Sequence, residues 1–199
     1  MKQLIVDYIP FEIQPHQISE AMKENNGKLV VKGVLQRADT KNQNGRVYPK
    51  EILMREAKKY SSNFVTQKRA MGELDHPESS VVNLQNVSHN VTEMSWNGDD
   101  LVGTVEILTT PSGNILRELF KNGIKLGISS RGLGSVEPVN EAEGEDGTVE
   151  VQDDFELIAF DFVSNPSTHG AFMRPVNESV KNKTPENNIE RIINSIMRG

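Results

Sequence analysis

The sequence predicts an α+β domain with a substantial β-sheet or a barrel-like β core flanked by helices. Two observations carry this. Apolar runs of strand length recur through the chain between turn signals, and the stretches with helical spacing are few and short. A third bounds the size: 199 residues is about one domain, long enough to bury a real core.

In chain order, residues 1–27 read as an arm. His16 to Asn25 has the makings of a short helix stopped by Gly27 at a C′ position. Leu29 to Leu35 is rich in Leu and Val and reads as a strand, with Gly33 as a bulge. Asp39 to Gly45 is a polar turn. Pro49 stands where the first helical residue is expected, and Ile52, Leu53 and Ala57 give an apolar stripe ending near Tyr60.

Met94 to Gly103 reads as a hairpin around Asn97-Gly98-Asp99-Asp100. Thr110 is placed to cap a helix that begins at Pro111 and carries Ile115, Leu116, Leu119 and Phe120 at helical spacing, with Gly123 beyond its end. Ile124 to Ser130 and Phe155 to Val163 read as strands, the second apolar enough to be buried. Between them, residues 140–147 form an acidic loop, and 177–188 a polar linker. Ile189, Ile192, Ile193, Ile196 and Met197 then fall on one face of a final amphipathic helix. The division is an arm at 1–27, a body at 28–176 and a linker with a helix at 177–199.

Composition removes several function classes. The net charge is −6, which lacks the basic footprint of a nucleic-acid binder. Cysteine is absent, so disulfides, thiol nucleophiles, Fe–S clusters and Cys-ligated zinc are excluded. Covalent catalysis is left to Ser, Thr, Lys, His or a carboxylate. No apolar run is long enough to span a membrane, and Asp7 interrupts any signal-peptide core, so the expected setting is intracellular.

Three segments carry candidate chemistry. His76 lies in Met71-Gly72-Glu73-Leu74-Asp75-His76-Pro77, where Gly72 permits close backbone approach and Pro77 biases His76 toward extended backbone. A histidine is the usual general base near neutral pH; the alternative is a histidine satisfied in a turn. His16, His89 and His169 read more simply as surface or structural residues.

Gly127-Ile128-Ser129-Ser130-Arg131-Gly132-Leu133-Gly134-Ser135 surrounds candidate hydroxyls with small neighbours, as an exposed nucleophile and its oxyanion donors need. Its spacing is not that of the hydrolase elbow, and a glycine-rich bend between strands is the plainer alternative. In Phe160-Asp161-Phe162-Val163-Ser164-Asn165-Pro166-Ser167, Asp161 interrupts an apolar strand. If buried it requires a partner, and orienting an imidazole is one such role; if exposed it simply faces water.

Together these segments resemble the prohead core proteases of T-even-like tailed phages. The resemblance covers residues 30–173 and rests on five ordered elements: Asn44-Gly45-Arg46-Val47-Tyr48-Pro49, Gly72 to Pro77, Met94 to Asp100, Gly127 to Ser135, and Asp161 to Ser167. It implies a serine endopeptidase with a fold like that of the herpesvirus assembly proteases, a β-barrel-like core among helices. It implies His76 as base, Ser129 as nucleophile and Asp161 as third member. Ser130 is the alternative nucleophile, and Asp75, Asp154 and His169 are alternative third members.

The resemblance also points to oxyanion donors in the loop at 164–170, including His169 and Gly170, with Arg131 as a residue that positions a loop or a water. It implies substrates among the scaffold, internal core and capsid proteins of the phage head, action inside the prohead in the host cytoplasm, and no metal or organic cofactor. A homo-oligomer is compatible with it.

The resemblance further implies cleavage after Glu, with an aliphatic residue two positions earlier and a small residue following, a pattern that Ile18-Ser19-Glu20-Ala21 matches. Glu141 and Glu178 stand in looser matches. Self-processing at these positions is therefore expected. Two competing readings exist. One is a metal-dependent hydrolase using Glu73, Asp75, His76 and His89; the other is an inactive scaffold or capsid-assembly component.

Overall fold

The structure is a computed structural model that describes residues 3–11, 22–23, 25–124, 126–139, 147–164 and 174–175. Its strands are β1 (Gln3–Phe11), β2 (Leu29–Arg37), β3 (Arg46–Val47), β4 (Met71–Glu73), β5 (Val87–Asn97), β6 (Asp100–Ile107), β7 (Leu126–Gly134), β8 (Val136–Pro138), β9 (Val149–Val151), β10 (Glu156–Val163) and β11 (Arg174–Pro175). Its helices are α1 (Lys50–Tyr60) and α2 (Pro111–Lys121).

The strands form three sheets, ordered β1-β7-β10, β11-β2-β6-β5-β4 and β3-β9-β8. The α+β class holds. The barrel does not: the described strands make three open sheets, and none closes on itself. Among the described residues no helix is long and apolar enough to cross a membrane.

The β5–β6 hairpin follows from its turn. Asn97 pairs with Asp100 around Gly98, whose φ is 62°, a left-handed conformation that glycine adopts without strain. Along β6, Leu101, Gly103, Val105 and Ile107 face the core and alternate with half-buried residues, the period-2 pattern of a sheet with one covered face. The bulge in β2 falls between Val34 and Gln36, not at Gly33, which stays paired with Gly103.

Both helices begin close to where the sequence places them. Thr110 caps α2: its Oγ1 accepts the Gly113 N–H at 3.1 Å, and Pro111 occupies the first turn, where no N–H is missed. Helix α1 starts one residue later than expected, with Pro49 before it, and runs on after Tyr60 into a π-type turn at Ser61–Val65. The two helices present aromatic rings to successive phenylalanines of β10. Tyr60 meets Phe160 edge-on at 5.6 Å, and Phe120 meets Phe162 at 5.5 Å.

Two sequence elements have roles other than those expected. Residues 3–11, inside the presumed arm, pair along their whole length with β7, and Ile5 is fully buried in the core. Asn44–Pro49 is scaffolding. Asn42 Oδ1 accepts the N–H groups of Asn44 and Arg46, and buried Tyr48 packs edge-on against Phe155 at 5.4 Å. The expected final helix and the helix from His16 lie outside the described residues, apart from the latter's closing turn. There the Gly27 N–H donates to the Met22 carbonyl at 2.7 Å, with Gly27 at φ 83°.

Candidate active site

The site forms where β4, at the edge of the larger sheet, meets β10. Leu74, just past β4, bridges in parallel to Phe162 of β10, and the Asp75 N–H donates to the Phe162 carbonyl at 2.7 Å. This docks the His76 segment against the closing residues of β10. The close approach requires glycine at position 72: a Cβ there would lie 1.9 Å from the Phe160 carbonyl oxygen and 2.3 Å from His89 Nε2.

Asp75 makes the turn. Its φ is 69°, a left-handed conformation that Asp tolerates better than most residues, and its own Oδ1 accepts the His76 N–H at 2.9 Å. Its carboxylate thus shapes the backbone before the imidazole. Asp75→Asn and Asp75→Gly should keep their fold and activity. A β-branched residue in this conformation is strained by about 1–3 kcal/mol. Asp75→Val should therefore lower proteolysis on the order of tenfold to a hundredfold, measured as initial cleavage rate beside a circular-dichroism melt.

His76 Nδ1 lies 3.0 Å from Asp161 Oδ2. An Nδ1–H donating to that carboxylate leaves Nε2 unprotonated, the tautomer a general base needs. Nε2 is buried and has no hydrogen-bond partner among the described residues. Asp161 is fully buried and held by three further donors. Its Oδ1 accepts the Glu73 N–H at 2.9 Å and Arg131 Nη2 at 3.2 Å, and Arg131 Nε stands 2.9 Å from Oδ2 as an ion pair. The sequence left open whether this carboxylate faces water; it faces an arginine and a histidine.

The bend alternative does not hold; the strand expected at Ile124–Ser130 is present as β7, which runs from Leu126 to Gly134, is central in its sheet and is buried on both faces. Its register separates the two serines. Ser129 pairs with Asp161, and Ser130 with Phe160. Directly opposed residues project to the same face, so Ser129 and Asp161 share one face and Ser130 the other. On that other face Ser130 Oγ accepts Gln36 Nε2 at 2.8 Å, a buried structural bond. Ser129 is also fully buried.

Arg131 follows Ser129 by two residues and lies on the Ser129 face. It is among the largest fully buried side chains. Its Nη2 donates to Glu73 Oε1 at 3.0 Å, and its Nη1 to the Ser79 carbonyl at 2.7 Å. A guanidinium can stay buried because carboxylates and a carbonyl meet its donors. Sequence reasoning offered Arg131 for loop or water positioning, and Glu73 only as a metal ligand. The partnership between them was missed, because nothing local in the sequence signals it.

The remaining candidates lie elsewhere. Asp154 Oδ1 accepts the N–H and the hydroxyl of Ser135, in a turn before β10. His169, Gly170, Glu20, Glu141 and Glu178 are outside the described residues. No three His, Asp or Glu side chains among the described residues converge on a metal position. Glu73 is engaged by Arg131, and His89 by its own bonds.

His89 is fully buried. Its Nε2 lies 2.8 Å from the Phe160 carbonyl, and the Ser88 hydroxyl 2.9 Å from its Nδ1, a pairing that suits the neutral ring. Burial pushes it down to about 4. The unfolded residue binds a proton near pH 6.5, well before the folded one, so stability is lost as pH falls from about 6.5 toward about 4. Between pH 7 and 5 this amounts to about 2 kcal/mol, which urea titrations at the two pH values should show for the wild type and not for His89→Gln.

Comparison with known proteins places the chain in a family. The chain is 33% identical over 161 residues to the prohead core protein protease of Enterobacteria phage T4, covering 79% of this chain and 73% of that protein. The solved structure of the bacteriophage T4 capsid assembly protease, gp21, superposes with a TM-score of 0.69 at 25% identity, over 83% of this chain and 99% of that one. The profile of the prohead core protein serine protease family matches residues 5–181. The chain therefore belongs to the prohead core protein serine proteases of phages, whose work is capsid assembly.

Proposed function

We propose that the chain is a Ser-His-Asp endopeptidase that cuts scaffold, internal core and capsid proteins inside the phage prohead. The observation that carries this is the β7–β10 register. It sets Ser129 opposite Asp161 on one face, while Asp161 holds His76 through Nδ1.

In the reaction, His76 Nε2 takes the Ser129 Oγ proton as the hydroxyl attacks the scissile carbonyl. Asp161 orients the ring and stabilises the imidazolium. The acyl-enzyme forms as the leaving amine takes that proton, and water then releases it. The oxyanion donors of this proposal are backbone N–H groups of the loop 164–170. Kinship in fold with the herpesvirus assembly proteases belongs to the same reading.

Cleavage after Glu and self-processing extend it. Ile18-Ser19-Glu20-Ala21 is the leading candidate cut, with Glu141 and Glu178 as secondary ones. The setting is the host cytoplasm, and the enzyme needs no cofactor. Co-expression with the phage's own core scaffold protein tests the reading. Wild type should cut the scaffold and Ser129→Ala should leave it intact. New termini after Glu20 in the mass spectrum of the mature protein would support self-processing. Intact scaffold with folded wild type, under several assembly conditions, would favour the inactive assembly component instead.

A further inference from the structure

We propose that Glu73 is a positioning residue of this site, whose charge cancels that of Arg131 and so leaves the full negative field of Asp161 for His76. The proposal rests on the triad reading above. Arg131 sits against the carboxylate that holds His76, through Nη2 at 3.2 Å and Nε at 2.9 Å. Alone, a buried cation there would oppose protonation of the imidazole, which is the step a general base must make. Glu73 is fully buried, and its Oε1 takes a hydrogen bond from the same Nη2 at 3.0 Å. Counting formal charges, Glu73, Arg131 and Asp161 together carry one negative charge, which an imidazolium at His76 neutralises.

Glu73 also fixes the geometry. Its own N–H holds Asp161 Oδ1 at 2.9 Å, and its Oε1 accepts the Asn83 N–H at 3.0 Å. Arg131 holds the Ser79 carbonyl of the same segment. The stretch leaving His76 is therefore tied down at two points by the pair that balances the charge.

Among the described residues, the charged and titratable groups of this network are Asp161 on β10, Arg131 on β7 and Glu73 on β4, with Asp75 and Glu78 in the His76 segment and His89 and Tyr60 near Asp161. Burial pushes His89 down to about 4 and Tyr60 well up, so neither changes charge between pH 5 and 9.

The test is an NMR titration of the His76 imidazole in the full chain carrying Ser129→Ala, which does not depend on turnover. Adding Glu73→Gln should lower the midpoint by about one pH unit, and adding Arg131→Gln should raise it. Glu73→Gln with Arg131→Gln leaves no unbalanced charge and should return the midpoint to within ~0.3 unit of the reference. In the active chain, Glu73→Gln should lower kcat on the order of tenfold with KM little changed.

A folded Glu73→Gln chain with an unmoved midpoint overturns the proposal. Where that single variant fails to fold, the double variant decides: a midpoint displaced by a full unit overturns the proposal, and an unmoved one supports it. Loss of the triad reading would appear separately, as cleavage that survives Ser129→Ala.

Discussion

Ser129→Ala should lower the cleavage rate on the order of a millionfold while leaving the melting curve near that of the wild type. In a triad the nucleophile and base act as a unit, so removing the nucleophile alone forfeits nearly all their joint contribution. The fold should tolerate the change, because it removes one hydroxyl, which donates to the Ser130 carbonyl at 3.5 Å, and leaves the backbone of β7 paired on both sides. Ser130→Ala should behave in the opposite way. It leaves the Gln36 amide without its buried acceptor, which costs about 1–3 kcal/mol of stability, yet the variant should still cut. The two variants thus separate chemistry from folding. Initial cleavage rates of purified scaffold protein, beside urea titrations of both variants, make the comparison. If only Ser130→Ala stops cleavage, the nucleophile has been placed on the wrong face of β7.

Asp161→Asn should lower kcat on the order of ten-thousandfold, with the fold retained. An amide in place of the carboxylate presents an N–H to His76 Nδ1 and favours the tautomer whose Nε2 cannot accept a proton. It also removes one negative charge from beside the imidazole. Arg131 would still be neutralised by Glu73 at 3.0 Å, which is why unfolding is not the expected outcome. Asp154→Asn is the control. Asp154 accepts the N–H and the hydroxyl of Ser135 in a turn before β10, and cleavage should persist within a fewfold of wild type. A large loss at Asp154 and none at Asp161 would move the third member of the triad.

Much of the scaffold was legible because its signals are local. Thr110 and Pro111 announce α2, and Asn97-Gly98 announces the hairpin, since a cap and a left-handed turn each depend on residues within three positions. What failed was non-local. Gln3–Phe11 reads as an arm because Asp7 and Pro10 break its apolar run, yet it is an edge strand, where a residue without an N–H is tolerated. The strand read at Ile124–Ser130 holds, but its continuation to Gly134 is hidden by the small side chains beyond Arg131, and only the pairing with β1 and β10 reveals it. The barrel expectation failed for a related reason, since closure depends on strand pairings that no local pattern encodes.

At the site, His76, Ser129 and Asp161 were found as members of ordered motifs, and the structure brings His76 and Asp161 into contact. The choice between the two serines needed the register, because adjacent residues in a strand differ only in face. The Glu73–Arg131 pair spans 58 positions of sequence and shows in no spacing rule.

The register of the first sheet also sets the order of events during synthesis. Strand β1 is made first, but its partner β7 comes more than a hundred residues later, and the other neighbour, β10, ends at Val163. Until that residue has left the ribosome, the nascent chain has neither the carboxylate that orients the imidazole nor the strand that completes the sheet. Long-range closure of this kind is slow compared with helix formation. A partly made chain therefore lacks the sheet on which Ser129 and Asp161 stand opposite each other.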